Sequence, residues 1–170
     1  MKSDNPDAIY ASGYFFTAGP LVSQLRSAGI TVPVIGQEGY DSEKFIKIAG
    51  AAAEGTIITT SLDRDSDAAE TNAFIKAFEA KAGFSADMVA ASGHTAVKVA
   101  VAAIRAAGTT YRGAIRDAIA GIKLTASTGE ISFNALGEVQ KDVQVQIVKD
   151  GMWRRHSVIS DAKLLAPPSK

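Results

Sequence analysis

The chain has 170 residues, enough for one ordinary domain or two small lobes. Hydrophobic residues make up 46% and charged residues 21%, the balance of a folded globular chain and not of a disordered one. Lys plus Arg number 18 and Asp plus Glu 18, a net charge of zero that argues against nucleic acid as a partner, and the absence of cysteine removes disulfides, thiolate metal ligands and cysteine nucleophiles.

The opening residues 1–6 are polar and turn-rich and lack the apolar core of a secretory signal. No apolar run approaches the roughly 18–20 residues needed to cross a bilayer. Residues 8–11 (Ala-Ile-Tyr-Ala) read as a short buried strand. A helix is predicted over 17–28, with Leu21, Val22 and Leu25 at helical spacing and Gly29 as its stop. Residues 30–35 read as a second buried strand carrying Val32, Val34 and Ile35, with Pro33 inside it. Asp41, Ser42 and Glu43 open a short helix through Phe45, Ile46 and Ile48 that Gly50 ends. Residues 56–60 form a third strand. Strands alternating with helices indicate βαβ units and a parallel sheet.

After Ser61 the pattern changes. Residues 62–67 (Leu-Asp-Arg-Asp-Ser-Asp) are charged and aperiodic, the composition of a connector. Three helices are predicted next, over about 69–82, 87–107 and 110–120, each followed by a glycine. The remainder is β-rich. Residues 129–133 and the strictly alternating 143–147 read as strands, Asp150-Gly151 is a hairpin signal, and 153–159 is the partner strand. Residues 166–170 read as a frayed tail. There is no internal repeat. The order βαβαβ, three helices, then strands suggests two lobes, with the chain crossing near 62–67 and returning near 137–145.

The phosphate-binding glycine patterns are absent, and there is no G-x-S-x-G elbow. The two histidines, His94 and His156, are 62 positions apart and have no partner at metal-ligand spacing. Neither a metal site, a cofactor loop nor a catalytic set is legible, so the expectation is a binding module and not an enzyme. Two loops differ from the rest. Ligands of open α/β sheets bind outside the carboxyl ends of the strands. Residues 12–16 (Ser-Gly-Tyr-Phe-Phe) follow the first strand, and 36–40 (Gly-Gln-Glu-Gly-Tyr) follow the second. Glu38 is an acceptor-only carboxylate suited to an ammonium group, and Tyr14 offers a hydroxyl and a π face to a cation. On residues alone the alternative stands beside it: Glu38 as a solvated loop acid, and the aromatics as packing.

An ordered set of stretches carries a family resemblance. These are Pro-Asp-Ala-Ile-Tyr at 6–10, Gln-Leu-Arg-Ser-Ala-Gly at 24–29, Gly-Gln-Glu-Gly at 36–39, Ile-Ala-Gly at 48–50 with Ala-Glu-Gly at 53–55, and Gly-Glu-Ile-Ser-Phe at 129–133 with Gly137. In that order they make the chain resemble the periplasmic leucine/isoleucine/valine-binding proteins, the substrate-binding components of branched-chain amino acid ABC transporters. The resemblance implies an α/β type I periplasmic-binding-protein fold, here partial: a parallel-sheet lobe plus the helical portion of a second lobe. Residues 1–62 and 141–170 would form the second ligand-binding lobe, and 63–140 a helix-rich part of the first. In such proteins an aromatic and an acid on successive loops hold the ligand's α-amino group; Tyr14 and Glu38, 24 residues apart, fall at those positions. Phe15 and Tyr40 are the neighbouring candidates. A further contact, often aromatic, falls at about Val89, which is not aromatic.

Since such proteins are about twice as long, the resemblance also implies that this chain corresponds to a C-terminal half. The expected ligand is an amino acid, branched-chain or related, without cofactor or metal. The expected partner of the intact protein is an ABC permease, and its place the periplasm or a lipid-anchored position outside the cell. Uncovered sheet edges and helix faces predict self-association of the 170-residue chain. Two other readings stay open: a ligand-sensing regulatory or receptor domain of the same fold, and a flavodoxin-like enzyme fragment.

Overall fold

The computed structural model describes residues 5–166; residues 1–4 and 167–170, which include most of the expected tail, lie outside the described residues. In chain order the elements are β1 (Ile9–Tyr10), α1 (Phe15–Ser27), β2 (Val34–Gly36), α2 (Glu43–Ala49), β3 (Ile57–Thr60), α3 (Ala69–Ala82), α4 (Met88–Ala107), α5 (Arg112–Ala120), β4 (Leu124–Ala126), β5 (Gly129–Phe133), β6 (Val139–Gln140), β7 (Val143–Lys149), β8 (Met152–Ile159) and α6 (Ala162–Leu165). Short 3-10 turns cover Glu38–Tyr40 and Gly50–Ala53. The described residues divide into two compact units, 5–65 with 144–158, and 66–143 with 159–166. The sequence had grouped 159–166 with the sheet lobe; the structure groups them with the second unit.

The first unit is built on a five-stranded sheet in the order β1-β2-β3-β7-β8. It is mixed, where the sequence implied a parallel sheet. β1, β2 and β3 are parallel, with Ile9 opposite Val34 and Ile35 opposite Ile57, but β7 runs antiparallel to β3, pairing Thr60 with Gln144. Two strands joined by a tight hairpin run in opposite directions, so a sheet that includes both β7 and β8 cannot be all parallel. The turn of that hairpin is Asp150-Gly151, both residues left-handed at φ 54° and 70°, the conformation Asp-Gly supplies at low cost.

Ala18, Val22 and Leu25 put a buried stripe on α1, and Phe45 and Ala49 do the same on α2. These stripes join Ile9, Val34, Ile58 and Val148 of the sheet in one core. Within it, Phe45 stacks between Tyr40 and Trp153, with ring centroids 5.2 and 5.5 Å apart. β2 begins at Val34, later than the apolar run that starts at Ile30, and Arg26 donates hydrogen bonds to the carbonyls of Ile30 and Val32, at 2.8 and 3.0 Å, ahead of the strand.

The second unit packs α4 with α5 and a small antiparallel sheet, β4-β5-β6. Asp87 caps α4 by accepting the Ala90 N–H at 2.9 Å, and Gly108 ends the helix at φ 63°. Ala91, Thr95, Val99 and Ala103 recur every four residues along its buried face. Ser127 donates to the Ala91 carbonyl at 2.9 Å, and Thr95 and Thr128 hydrogen-bond at 3.0 Å. His94 joins this cluster, its Nδ1 2.9 Å from Ser127 Oγ and its ring centroid 4.8 Å from that of Phe74. It is tied into the packing of helix and sheet. Lys98 pairs with Glu70, and that hydrogen-bonded ammonium holds the Glu70 carboxyl below its ordinary pKa.

Candidate functional site

Because β1, β2 and β3 are parallel, the loops that follow them emerge along one edge of the sheet. Gln37 ties the first two loops together. Its Nε2 donates to the Gly13 carbonyl at 2.7 Å, and its Oε1 accepts the Gly39 N–H at 2.9 Å. Tyr40 adds a second tie by donating its hydroxyl to the Ala11 carbonyl at 2.7 Å. Burial raises the Tyr40 phenol above its ordinary pKa, so the hydroxyl keeps the proton it donates.

The approach is close enough to require glycine at position 39. A Cβ there would lie 2.3 Å from the Gly13 carbonyl oxygen and 3.2 Å from Cδ1 of the Tyr14 ring. The first contact is with backbone, which cannot swing aside. Gly39→Ala is therefore expected to cost about 1–3 kcal/mol, the usual size of overpacking. It should appear as a lowered thermal midpoint with the two loops moved apart; an unchanged midpoint would contradict the close approach.

On this frame Tyr14 is the N-cap residue of α1, and Thr17 binds back to its backbone, accepting the Tyr14 N–H at 3.3 Å and donating to its carbonyl at 2.9 Å. The sequence started this helix at Thr17. The structure starts it at Phe15, because Thr17 acts from the third helical position and not as the cap. The Tyr14 ring is 62% exposed and stacks on Phe16 at 5.8 Å with the planes 5° apart. Glu38 begins the 3-10 turn of the second loop and is exposed. Its Oε2 accepts a hydrogen bond from Ser61 Oγ at 3.3 Å, and Ser61 directly follows β3. One carboxylate, one phenol and one hydroxyl thus come from the ends of three adjacent strands. An exposed carboxylate beside an aromatic face can accept hydrogen bonds from an ammonium and meet its charge.

The other candidates are placed differently. Phe15 is half-buried against the core, with Lys44 Nζ 5.8 Å from its ring centroid. Tyr40, expected beside the ligand, is fully buried, and its hydroxyl is engaged by Ala11, so it holds the loops instead of presenting a free group. Val89 lies in the first turn of α4, in the second unit, 68% exposed. Sequence reasoning missed Gln37, Ser61 and Asp41. Gln37 could have been read from its place between Gly36 and Glu38; Asp41 was read as a helix opener. In the structure Ser42 is the cap, accepting the Lys44 N–H at 3.2 Å, and Asp41 turns inward.

The model of the family described as periplasmic binding protein matches residues 1–152. This chain belongs to that family. Its 110-residue match to Leu/Ile/Val-binding protein homolog 3 of Brucella melitensis is 34% identical and covers 65% of this chain and 29% of the relative. A leucine-, isoleucine-, valine-, threonine- and alanine-binding protein of Pseudomonas aeruginosa is 26% identical over 82% of the chain and 37% of its own length. Among solved structures, a leucine binding protein from Thermotoga maritima superposes with a TM-score of 0.87, 29% identical, over 95% of this chain and 47% of its own. A branched-chain amino acid transporter substrate binding protein from Streptococcus pneumoniae, solved with isoleucine, gives 0.82 at 27% identity over 93% and 45%. The fold is thus the α/β type I periplasmic-binding-protein fold, and the chain spans about a third of the curated relatives and just under half of these solved ones.

Proposed function

We propose that this chain is part of a solute-binding component of an ABC importer, which captures an amino acid, branched-chain or related aliphatic, between two lobes and delivers it to a membrane permease. The observation that supports the reading is that Gln37 cross-links the loop that carries Tyr14 to the loop that carries Glu38, at the carboxyl edge of the sheet. An exposed acid and phenol there form one side of a grip on the ligand's α-ammonium. The similarity to leucine- and isoleucine-binding relatives supports the ligand class. The component works by binding, without a catalytic step, and acts in the periplasm or tethered outside the cell. A thermal-shift screen of the intact protein with L-leucine, L-isoleucine, L-valine and their des-amino analogues tests it. Stabilisation by the amino acids alone supports the reading, and stabilisation by none of them removes it.

The 170-residue chain by itself is proposed to self-associate. On α4, Val97, Val101 and Ile104 lie at positions separated by four and three residues and are 64%, 41% and 41% exposed, an uncovered apolar stripe on one helix face. Sedimentation velocity is expected to show a dimer, and Val101→Asp to return it to a monomer. A monomer at high concentration would contradict the proposal.

A further inference from the structure

The strand ends nearest the Glu38 turn are also where the chain leaves the first unit. It exits after Asp65, re-enters at Gln144 and exits again after Val158. Thr60, the last residue of β3, pairs with Gln144 near the start of β7. The Asp150-Gly151 hairpin brings the end of β8 back beside that start. These two exits and the re-entry therefore share one end of the sheet, the end that carries the loops after β1, β2 and β3.

A set of ion pairs binds this end together. Arg155 donates its backbone N–H to Asp65 Oδ2, its Nε to Asp63 Oδ2 and a terminal guanidinium nitrogen to the Asp65 carbonyl, each at 2.7 Å. Arg154 pairs with Asp65 at 3.1 Å. The Asp65 N–H donates to Asp63 Oδ1 at 3.0 Å. The charged run that the sequence read as a loose connector is thus clamped to β8 over residues 63–65. From the middle of this run Arg64 reaches Asp41, whose side chain is wholly buried and also accepts the Thr60 hydroxyl. Asp41 closes the 3-10 turn that Glu38 opens, its N–H donating to the Glu38 carbonyl at 3.0 Å.

We infer that Asp41 and Arg64 are positioning residues that fix the Glu38 turn to the root of the connections leaving the first unit, coupling the grip on an amine to the geometry of those connections. The inference rests on the reading of Glu38 as the amine acceptor. A buried carboxylate held by one guanidinium and one hydroxyl has little freedom to move alone, because separating the pair strands a charge away from water. A displacement of the Glu38 turn then passes through Asp41 to Arg64, and from Arg64 to the clamped backbone on either side of it.

The test separates positioning from simple stabilisation. In the intact protein, Asp41→Asn is expected to weaken L-leucine binding about tenfold by calorimetry, the size of a coupling between groups in contact. In a Glu38→Gln background the same change should add no further loss, since the group it positions is gone. Arg64→Lys, which keeps the charge, should retain more affinity than Arg64→Met, and this pair carries the comparison if Asp41→Asn does not fold. Hydrogen exchange without ligand should speed up at the amides of Asp41 and Asp65 in Asp41→Asn. An equal loss of affinity in both backgrounds, or unaltered exchange at Asp65, overturns the inference. Should the unsubstituted protein bind no L-leucine, the reading of Glu38 fails on its own and the exchange at Asp65 still decides the coupling.

Discussion

Glu38→Ala in the intact protein is expected to weaken binding of L-leucine at least tenfold while leaving the thermal midpoint within a degree or two. The affinity follows from chemistry: a hydrogen bond to a charged partner contributes about 1.5–3 kcal/mol, or roughly 10- to 150-fold. The midpoint follows from structure. Glu38 is exposed, and the hydrogen bond its side chain accepts from Ser61 is a long one at 3.3 Å. The turn is held by backbone and by Gln37, Tyr40 and Asp41, none of which the substitution touches. Glu38→Gln keeps the shape and removes the charge, so it should fall between the two. Calorimetry showing unchanged affinity in Glu38→Ala would remove the site assignment, whatever the family.

Phe45→Ala is expected to produce the largest loss of stability in the first unit, about 3–5 kcal/mol, the range for truncating a fully buried phenylalanine. Phe45 is fully buried, and its ring lies between those of Tyr40 and Trp153. Truncation opens a cavity and strips one face from each neighbour. The consequence extends to the site, because Tyr40 carries the tie to Ala11 and Trp153 donates to the Ser42 carbonyl at 3.3 Å. Chemical denaturation followed by Trp153 fluorescence measures the loss directly, since Trp153 is the chain's one tryptophan. A cost under about 1 kcal/mol would show that the aromatic stack contributes little beyond surface cover.

The elements legible in the sequence were those whose period and stop signals agree. The helix over Ala69–Ala82 has Phe74 and Phe78 on one stripe and Gly83 after it, and its bounds match the reading from sequence. The strand Gly129–Phe133 and the Asp150-Gly151 turn were equally plain. Missed elements were too short to show a period: β4 at three residues, β6 at two and α6 at four. The direction of β7 was hidden too, because alternation marks a strand without saying which way it runs beside its neighbour.

At the site, the loops could be placed from topology alone, since parallel strands put their carboxyl ends together. What the sequence concealed were contacts between distant positions. Gln37 to Gly13, Arg64 to Asp41 and Arg155 to Asp63 join residues 24, 23 and 92 positions apart. Nothing in the local pattern of Leu62 to Asp67 distinguishes a solvated charge run from one clamped by two arginines of a strand nearly a hundred residues later. Tyr40 misled for a related reason. Its neighbour Glu38 faces solvent, and in a three-residue 3-10 turn two positions suffice to carry a side chain from the surface to the core.

The central claim is that a carboxylate and a phenol at adjacent strand ends hold an α-ammonium. Calorimetric comparison of L-leucine with its des-amino analogue, 4-methylpentanoate, on the intact protein and on Glu38→Ala tests it most directly. The account predicts that the analogue binds the unsubstituted protein at least tenfold more weakly, and that the difference disappears in Glu38→Ala. Equal binding of the two compounds by the unsubstituted protein, or a preference for the amine that survives the loss of Glu38, would contradict it.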